Sequence, residues 1–90
     1  MTNDYAEYAV QQAAALLAID SPTGFTARAA DWVYQAFADL GYPVERTCKG
    51  GILVDLGGPA DTEGLLLAAH ADTLGAMVAE IKGNGRLRLT

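Results

Sequence analysis

The chain has 90 residues, six Lys and Arg against eleven Asp and Glu, a formal net charge of −5 and no basic run. That balance excludes a nucleic-acid binder, which needs clustered cations to neutralise phosphates. A single cysteine, Cys48, excludes an internal disulfide and a cysteine-rich zinc site and reads as a free thiol near a turn.

Ninety residues make at most one small domain, near the size at which a single core barely suffices. Yet 51% of them are hydrophobic, the composition of a piece that packs against further segments. The chain opens with Met1, which reads as a natural amino end, whereas Thr90 falls inside a strand pattern. An amino-terminal fragment is therefore expected. Asn3, Asp4 and Glu7 do not make a signal-peptide start. No apolar stretch approaches the roughly twenty residues that cross a bilayer. A cytoplasmic protein without membrane contact is the expectation.

Thr2-Asn3-Asp4 offer capping oxygens before an Ala-rich helix that reaches about Ala18. Within it Tyr5, Ala9, Ala13, Leu16 and Leu17 recur at helical spacing and predict one apolar face. Pro22 disfavours helical geometry at Ser21, so the helix should end near Asp20. Ser21-Pro22-Thr23-Gly24 then reads as a turn. Thr23 or Thr26 can cap a second helix whose stripe is Ala29, Val33, Ala36, Phe37 and Leu40, with Trp32 at its edge. Leu40-Gly41 is its stop, because Gly41 is free to take the left-handed conformation and Pro43 lies just beyond. Tyr5, Tyr8 and Trp32 read as packing groups.

After Pro43 the period becomes extended. Val44 to Thr47 and Ile52 to Leu56 are expected strands around Lys49-Gly50-Gly51, a glycine pair suited to a tight hairpin. Residues 57–64 are a loop that lacks the glycine order and the lysine of a phosphate cradle. Met77 to Ile81 and Arg86 to Thr90 flank Lys82-Gly83-Asn84-Gly85; Asn-Gly is a strong hairpin signal, so these segments should pair antiparallel. Leu87 and Leu89 alternate with Arg86, Arg88 and Thr90, a half-exposed pattern.

The chemistry concentrates between those hairpins. Leu65-Leu66-Leu67-Ala68-Ala69 is a short uninterrupted apolar run, expected as a buried central strand of an α/β sheet. It runs straight into His70, the chain's only histidine, with Asp72 two residues on. Ligands of open α/β sheets sit at the carboxyl ends of such strands. An extended backbone puts residues i and i+2 on one face, so His70 and Asp72 should point the same way. That suits an imidazole bound to a metal through one nitrogen and oriented by a carboxylate. It equally suits a histidine capping a strand end, bonded to a neighbouring carboxylate or carbonyl. Asp55 and Glu63 read as loop or surface groups, and Glu80 should face solvent.

Ala69-His70-Ala71-Asp72-Thr73-Leu74-Gly75-Ala76-Met77-Val78, followed by Ile81 and Asn84-Gly85-Arg86-Leu87-Arg88, resembles the metal-binding segment of the glutamyl/leucyl aminopeptidases. These are the dinuclear metallopeptidases, deblocking aminopeptidases among them, that assemble into tetrahedral dodecamers. Asp20-Ser21-Pro22-Thr23-Gly24-Phe25 resembles that family's Ser/Thr-Pro-Ser-Gly segment between the first two helices. The resemblance covers essentially the whole chain in the same order. It departs at Thr73, where many members carry Glu. A related carboxypeptidase and deacylase family follows His-x-Asp with Val and Pro, whereas Leu74-Gly75-Ala76-Met77-Val78 follows here.

The resemblance implies an α/β class: the amino-terminal portion of an α/β/α sandwich with a mixed sheet, two helices followed by about five strands. Residues 1–76 would belong to the catalytic domain, and 77–90 would form a hairpin leading toward an inserted dimerisation domain. His70 would be one ligand of a two-metal site holding zinc or cobalt. Asp72 would be a catalytic group behind it, hydrogen-bonded to its other ring nitrogen. The implied reaction removes amino-terminal residues from peptides with a water activated by the metals. A homo-oligomer, a dodecamer in the family, is the implied assembly. The general-base glutamate has its family position beyond Thr90. One histidine cannot supply the roughly three protein ligands of a catalytic metal, so the ninety residues alone are expected to be inactive and to bind metal weakly. The alternatives are a related metal-dependent deacylase or dipeptidase, and a truncated, non-catalytic interaction domain that associates through the hairpin.

Overall fold

A computed structural model describes residues 2–60 and 62–90, apart from the side chains of Thr2 and Asn3. The capping expected of Thr2 and Asn3 lies outside the described residues. Helix α1 runs Thr2–Leu17 and helix α2 runs Ala27–Asp39. Four short strands follow: β1 Val44–Arg46, β2 Ile52–Val54, β3 Val78–Ile81 and β4 Leu87–Leu89. Two helices followed by antiparallel strands make this an α/β chain, as the sequence pattern implies.

Helix α2 ends where the sequence says it must. Gly41 has φ +93, a left-handed conformation open to glycine without a Cβ clash. Its N–H donates to the Ala38 carbonyl at 2.9 Å and the Tyr42 N–H to the Phe37 carbonyl at 3.3 Å. This pair of bonds is the Schellman stop, and its usual hydrophobic contact is here aromatic. The Phe37 and Tyr42 rings meet edge to face, centroids 6.5 Å apart. At the other end Thr26 occupies the cap position, but its side chain makes no capping bond.

Both hairpins are built on one turn. Thr47 N–H donates to the Gly51 carbonyl and Gly50 N–H to that of Thr47, at 2.8 and 3.0 Å; Lys82, Arg86 and Gly85 repeat the pattern at the same distances. Gly50 has φ +85 and Gly85 φ +86. These are three-residue loops, Cys48-Lys49-Gly50 and Gly83-Asn84-Gly85, whose last residue needs a positive φ. Register follows directly: Val44 faces Val54, and Ile81 faces Leu87. A bulge falls between Val78 and Glu80.

Three sequence expectations are corrected. No mixed sheet forms among the described residues; the four strands, against about five expected, make two separate antiparallel pairs. Residues 65–69 form no strand, and Leu65, Leu66 and Leu67 are 78–88% exposed. A central strand needs neighbours to accept its N–H and C=O groups and cover both faces, and nothing else described here pairs with this run. The apolar face of α1 is also uncovered: Tyr5, Tyr8 and Leu17 are exposed rather than packed, and Leu16 is only half-buried. Among the described residues the buried apolar ones are Ala29 and Ala30 of α2, the helix on which β1 and β2 pack. Val33, Ala36 and Phe37 of the expected stripe are half-buried, and Leu40 is exposed.

The result is an open arrangement. The radius of gyration is 17.4 Å, against about 12 Å for a compact domain of ninety residues.

Candidate functional site

The segment between the helices reaches across fifty residues to the His-x-Asp segment. Thr73 N–H donates to the Ser21 carbonyl at 2.8 Å, and Pro22 and Thr73 form a parallel bridge. Ser21 is almost fully buried, and its hydroxyl donates to the Ala71 carbonyl at 3.0 Å. Gly75 lies so close that a Cβ there would stand 3.0 Å from Pro22 Cβ, a contact that Pro22 would have to yield to by a few tenths of an ångström. The linker itself is shaped by a turn: Phe25 N–H donates to the Pro22 carbonyl at 2.8 Å, with Gly24 at φ +89. A left-handed third position is what a type II turn demands.

His70 and Asp72 sit on this staple. The His70 Nδ1 lies 3.0 Å from Asp72 Oδ1 and 2.9 Å from the Asp72 carbonyl oxygen. Both partners only accept hydrogen bonds, so Nδ1 carries the proton and, in the neutral ring, the Nε2 lone pair is free. The His70 side chain is 85% exposed and Asp72 44%. The ring therefore stands in the open rather than in a sealed apolar interior. Thr23 Oγ1 donates to the other carboxylate oxygen, Asp72 Oδ2, at 2.8 Å. Chiefly this bond, then the one from His70, holds the Asp72 carboxyl below its ordinary value, because both favour the charged form.

The hollow beside the ring has a volume of about 590 Å³ and is lined by Thr23, His70, Asp72, Leu74, Gly75 and Thr90, with Pro22, Thr73 and Ala76 completing the wall. Asp55 and Glu63 are exposed loop groups outside it, and Asp55 Oδ1 accepts from Gly57 N–H at 2.8 Å. Glu80 pairs loosely with Arg88 across the second hairpin, at 3.8 Å. Cys48 is a free, exposed thiol in the first hairpin loop.

Residues 50–90, which contain the His-x-Asp segment, match the family model described as M42 glutamyl aminopeptidase. Over 74 residues the chain is 39% identical to "Putative aminopeptidase YhfE" of Bacillus subtilis, and over 76 residues 33% identical to the glutamyl aminopeptidase of Lactococcus lactis. The chain belongs to the M42 aminopeptidase family, as a partial stretch of it. The alignments cover 82% and 83% of the chain but 21% of each relative's length.

For the M42 chain, one imidazole nitrogen backed by one carboxylate is the donor set offered to a metal. Among the described residues no group of three or more His, Cys, Asp or Glu could hold one. The pair fits as a single arm of a metal site, with the correct nitrogen left free, and no more than that. Ser21 and Thr23 are the site residues that local reading of the sequence misses. Thr23 looks like a helix cap, and only its partner 49 positions away reveals where its hydroxyl goes. Among the described residues no helix is long and apolar enough to cross a membrane.

Proposed function

We propose that this M42 chain supplies the His-x-Asp arm of a two-metal aminopeptidase, His70 being a metal ligand through Nε2 and Asp72 the group that orients it. The observation that carries the reading is the double acceptance of the His70 Nδ1 proton by Asp72, which leaves Nε2 free on a ring that lines an open hollow. When bound, zinc or cobalt supplies Lewis acidity toward the scissile carbonyl and the attacking water. The chain's own part is to hold the imidazole in one tautomer and one orientation, with Gly75 and Pro22 setting the floor beside it. The remaining ligands and the general base would come from residues outside these ninety. Peptides with a free amino terminus are the proposed substrates.

Residues 77–90 would lead toward an added β domain and contribute to a homo-oligomer, as the bare faces of β3 and β4 suggest. In the protein as its gene encodes it, His70→Ala should lower metal-dependent hydrolysis of amino-acid anilides more than about a hundredfold, beyond the range for an outer-shell partner. Asp72→Asn should cost about ten- to a hundredfold. Full activity and metal content in His70→Ala would remove the histidine from the site. Hydrolysis of N-acyl amino acids in place of anilides would select the deacylase alternative.

A further inference from the structure

We propose that Thr23 is a positioning residue: its hydroxyl clamps Asp72 Oδ2 and thereby fixes the carboxylate that holds the His70 ring. The consequence at a metal rests on the aminopeptidase reading; the effect on the ring does not.

A carboxylate held by one oxygen still swings, because its terminal torsion is broad and roughly two-fold. In this chain each oxygen has its own partner: His70 Nδ1 on Oδ1 at 3.0 Å, and Thr23 Oγ1 on Oδ2 at 2.8 Å. Two bonds on opposite oxygens define the carboxylate plane, and with it the direction in which His70 is held. The threonine hydroxyl has a single proton to give, and it goes to a charged acceptor, the stronger kind of hydrogen bond.

Thr23 is itself well fixed. Pro22 before it is bridged to Thr73, Gly24 after it takes φ +89, and Phe25 N–H closes the turn. The neighbouring hydroxyl of Ser21 makes a different contact, with the backbone carbonyl of Ala71. The linker thus carries two hydroxyls with separate tasks: Ser21 holds the backbone of the His-x-Asp segment, and Thr23 holds its acid.

Thr23→Val keeps the branched shape and removes the proton, while Thr23→Ser keeps the proton and removes the methyl. In the metal-free protein as its gene encodes it, long-range proton–nitrogen NMR of His70 should show one dominant Nδ1–H form in wild type and Thr23→Ser. In Thr23→Val the share of the Nδ1–H form should fall and some Nε2–H form appear, the Asp72 backbone carbonyl at 2.9 Å still accepting from Nδ1 in part of the population. Cobalt(II) binding, followed by absorption, should weaken about tenfold in Thr23→Val, the low end for a group acting on a ligand's partner, and stay near wild type in Thr23→Ser. An unchanged tautomer in Thr23→Val would overturn the proposal. So would a Thr23→Ser protein as impaired as Thr23→Val, which would assign the effect to shape. Unchanged cobalt affinity in His70→Ala would break the aminopeptidase reading by itself, and a tautomer mixture in Thr23→Val would still uphold the clamp.

Discussion

The two hairpins share a turn but differ in what covers them. Each closes through a three-residue loop ending in a glycine with φ near +85. Hairpin β1–β2 lies on α2, where Arg46 pairs with Asp31 at 2.6 Å and stacks over the Tyr34 ring at 4.6 Å. In hairpin β3–β4, Val78, Ile81, Leu87 and Leu89 are all more than half exposed. Local turn chemistry is therefore enough to set pairing and register, but covering an apolar strand requires a second element at the right place. The contrast is one between local and long-range information.

The largest effect that would break this comparison is at the buried seam of α2. Ala29 is 1% exposed, so Ala29→Leu should overpack it and destabilise by about 1–3 kcal/mol. Hydrogen exchange should then quicken in β1 and β2 and stay unchanged in β3 and β4. Equal loss of protection in both hairpins would show that they are coupled.

Next come the turns. Gly50→Ala and Gly85→Ala force a Cβ into the left-handed region, at about 1–2 kcal/mol each. Nothing lies within 4 Å of either position, so strain alone should act and the two costs should match. A difference above about 1 kcal/mol, read from hairpin exchange rates, would mean that α2 supports the first turn as well as the strands.

Arg46→Ala should cost about 0.5–1 kcal/mol, since its ion pair is half exposed and its stacking on Tyr34 adds modestly. Arg88→Ala in the other hairpin should cost less, because its pair with Glu80 is longer at 3.8 Å and also exposed.

The smallest effect is one of pH. The Asp72 carboxyl is held below its ordinary value of 3.8, so its contribution is complete above that value. It is lost as the pH falls through the lower, folded value. Acidification should therefore release the Thr23 and Asp72 resonances together below about pH 4. Their release well above that range would contradict the lowered carboxyl.

Legibility in the sequence followed the same division. The stop at Leu40-Gly41, the two glycine turns and the antiparallel pairing of 78–81 with 87–89 are set by residues a few positions apart, and local patterns expose them. The proximity of His70 and Asp72 was also readable, because a single residue, Ala71, separates them and each has few places to go. Leu65 to Ala69 misled for a physical reason. An apolar run states that a segment wants covering, but not that the covering is present in the same ninety residues. Thr23 misled in the opposite way, since a threonine before a helix has a good local use and took a distant one. Its bond to Asp72 spans 49 positions, beyond any periodicity.

Zinc titration into the protein as its gene encodes it, followed through the two ring nitrogens of His70 by NMR, is the most direct measurement. The Nε2 resonance should move on binding while Nδ1 keeps its proton and its bond to Asp72. Movement at Nδ1, or at neither nitrogen, would contradict the assignment of His70 as a metal ligand held from behind by Asp72.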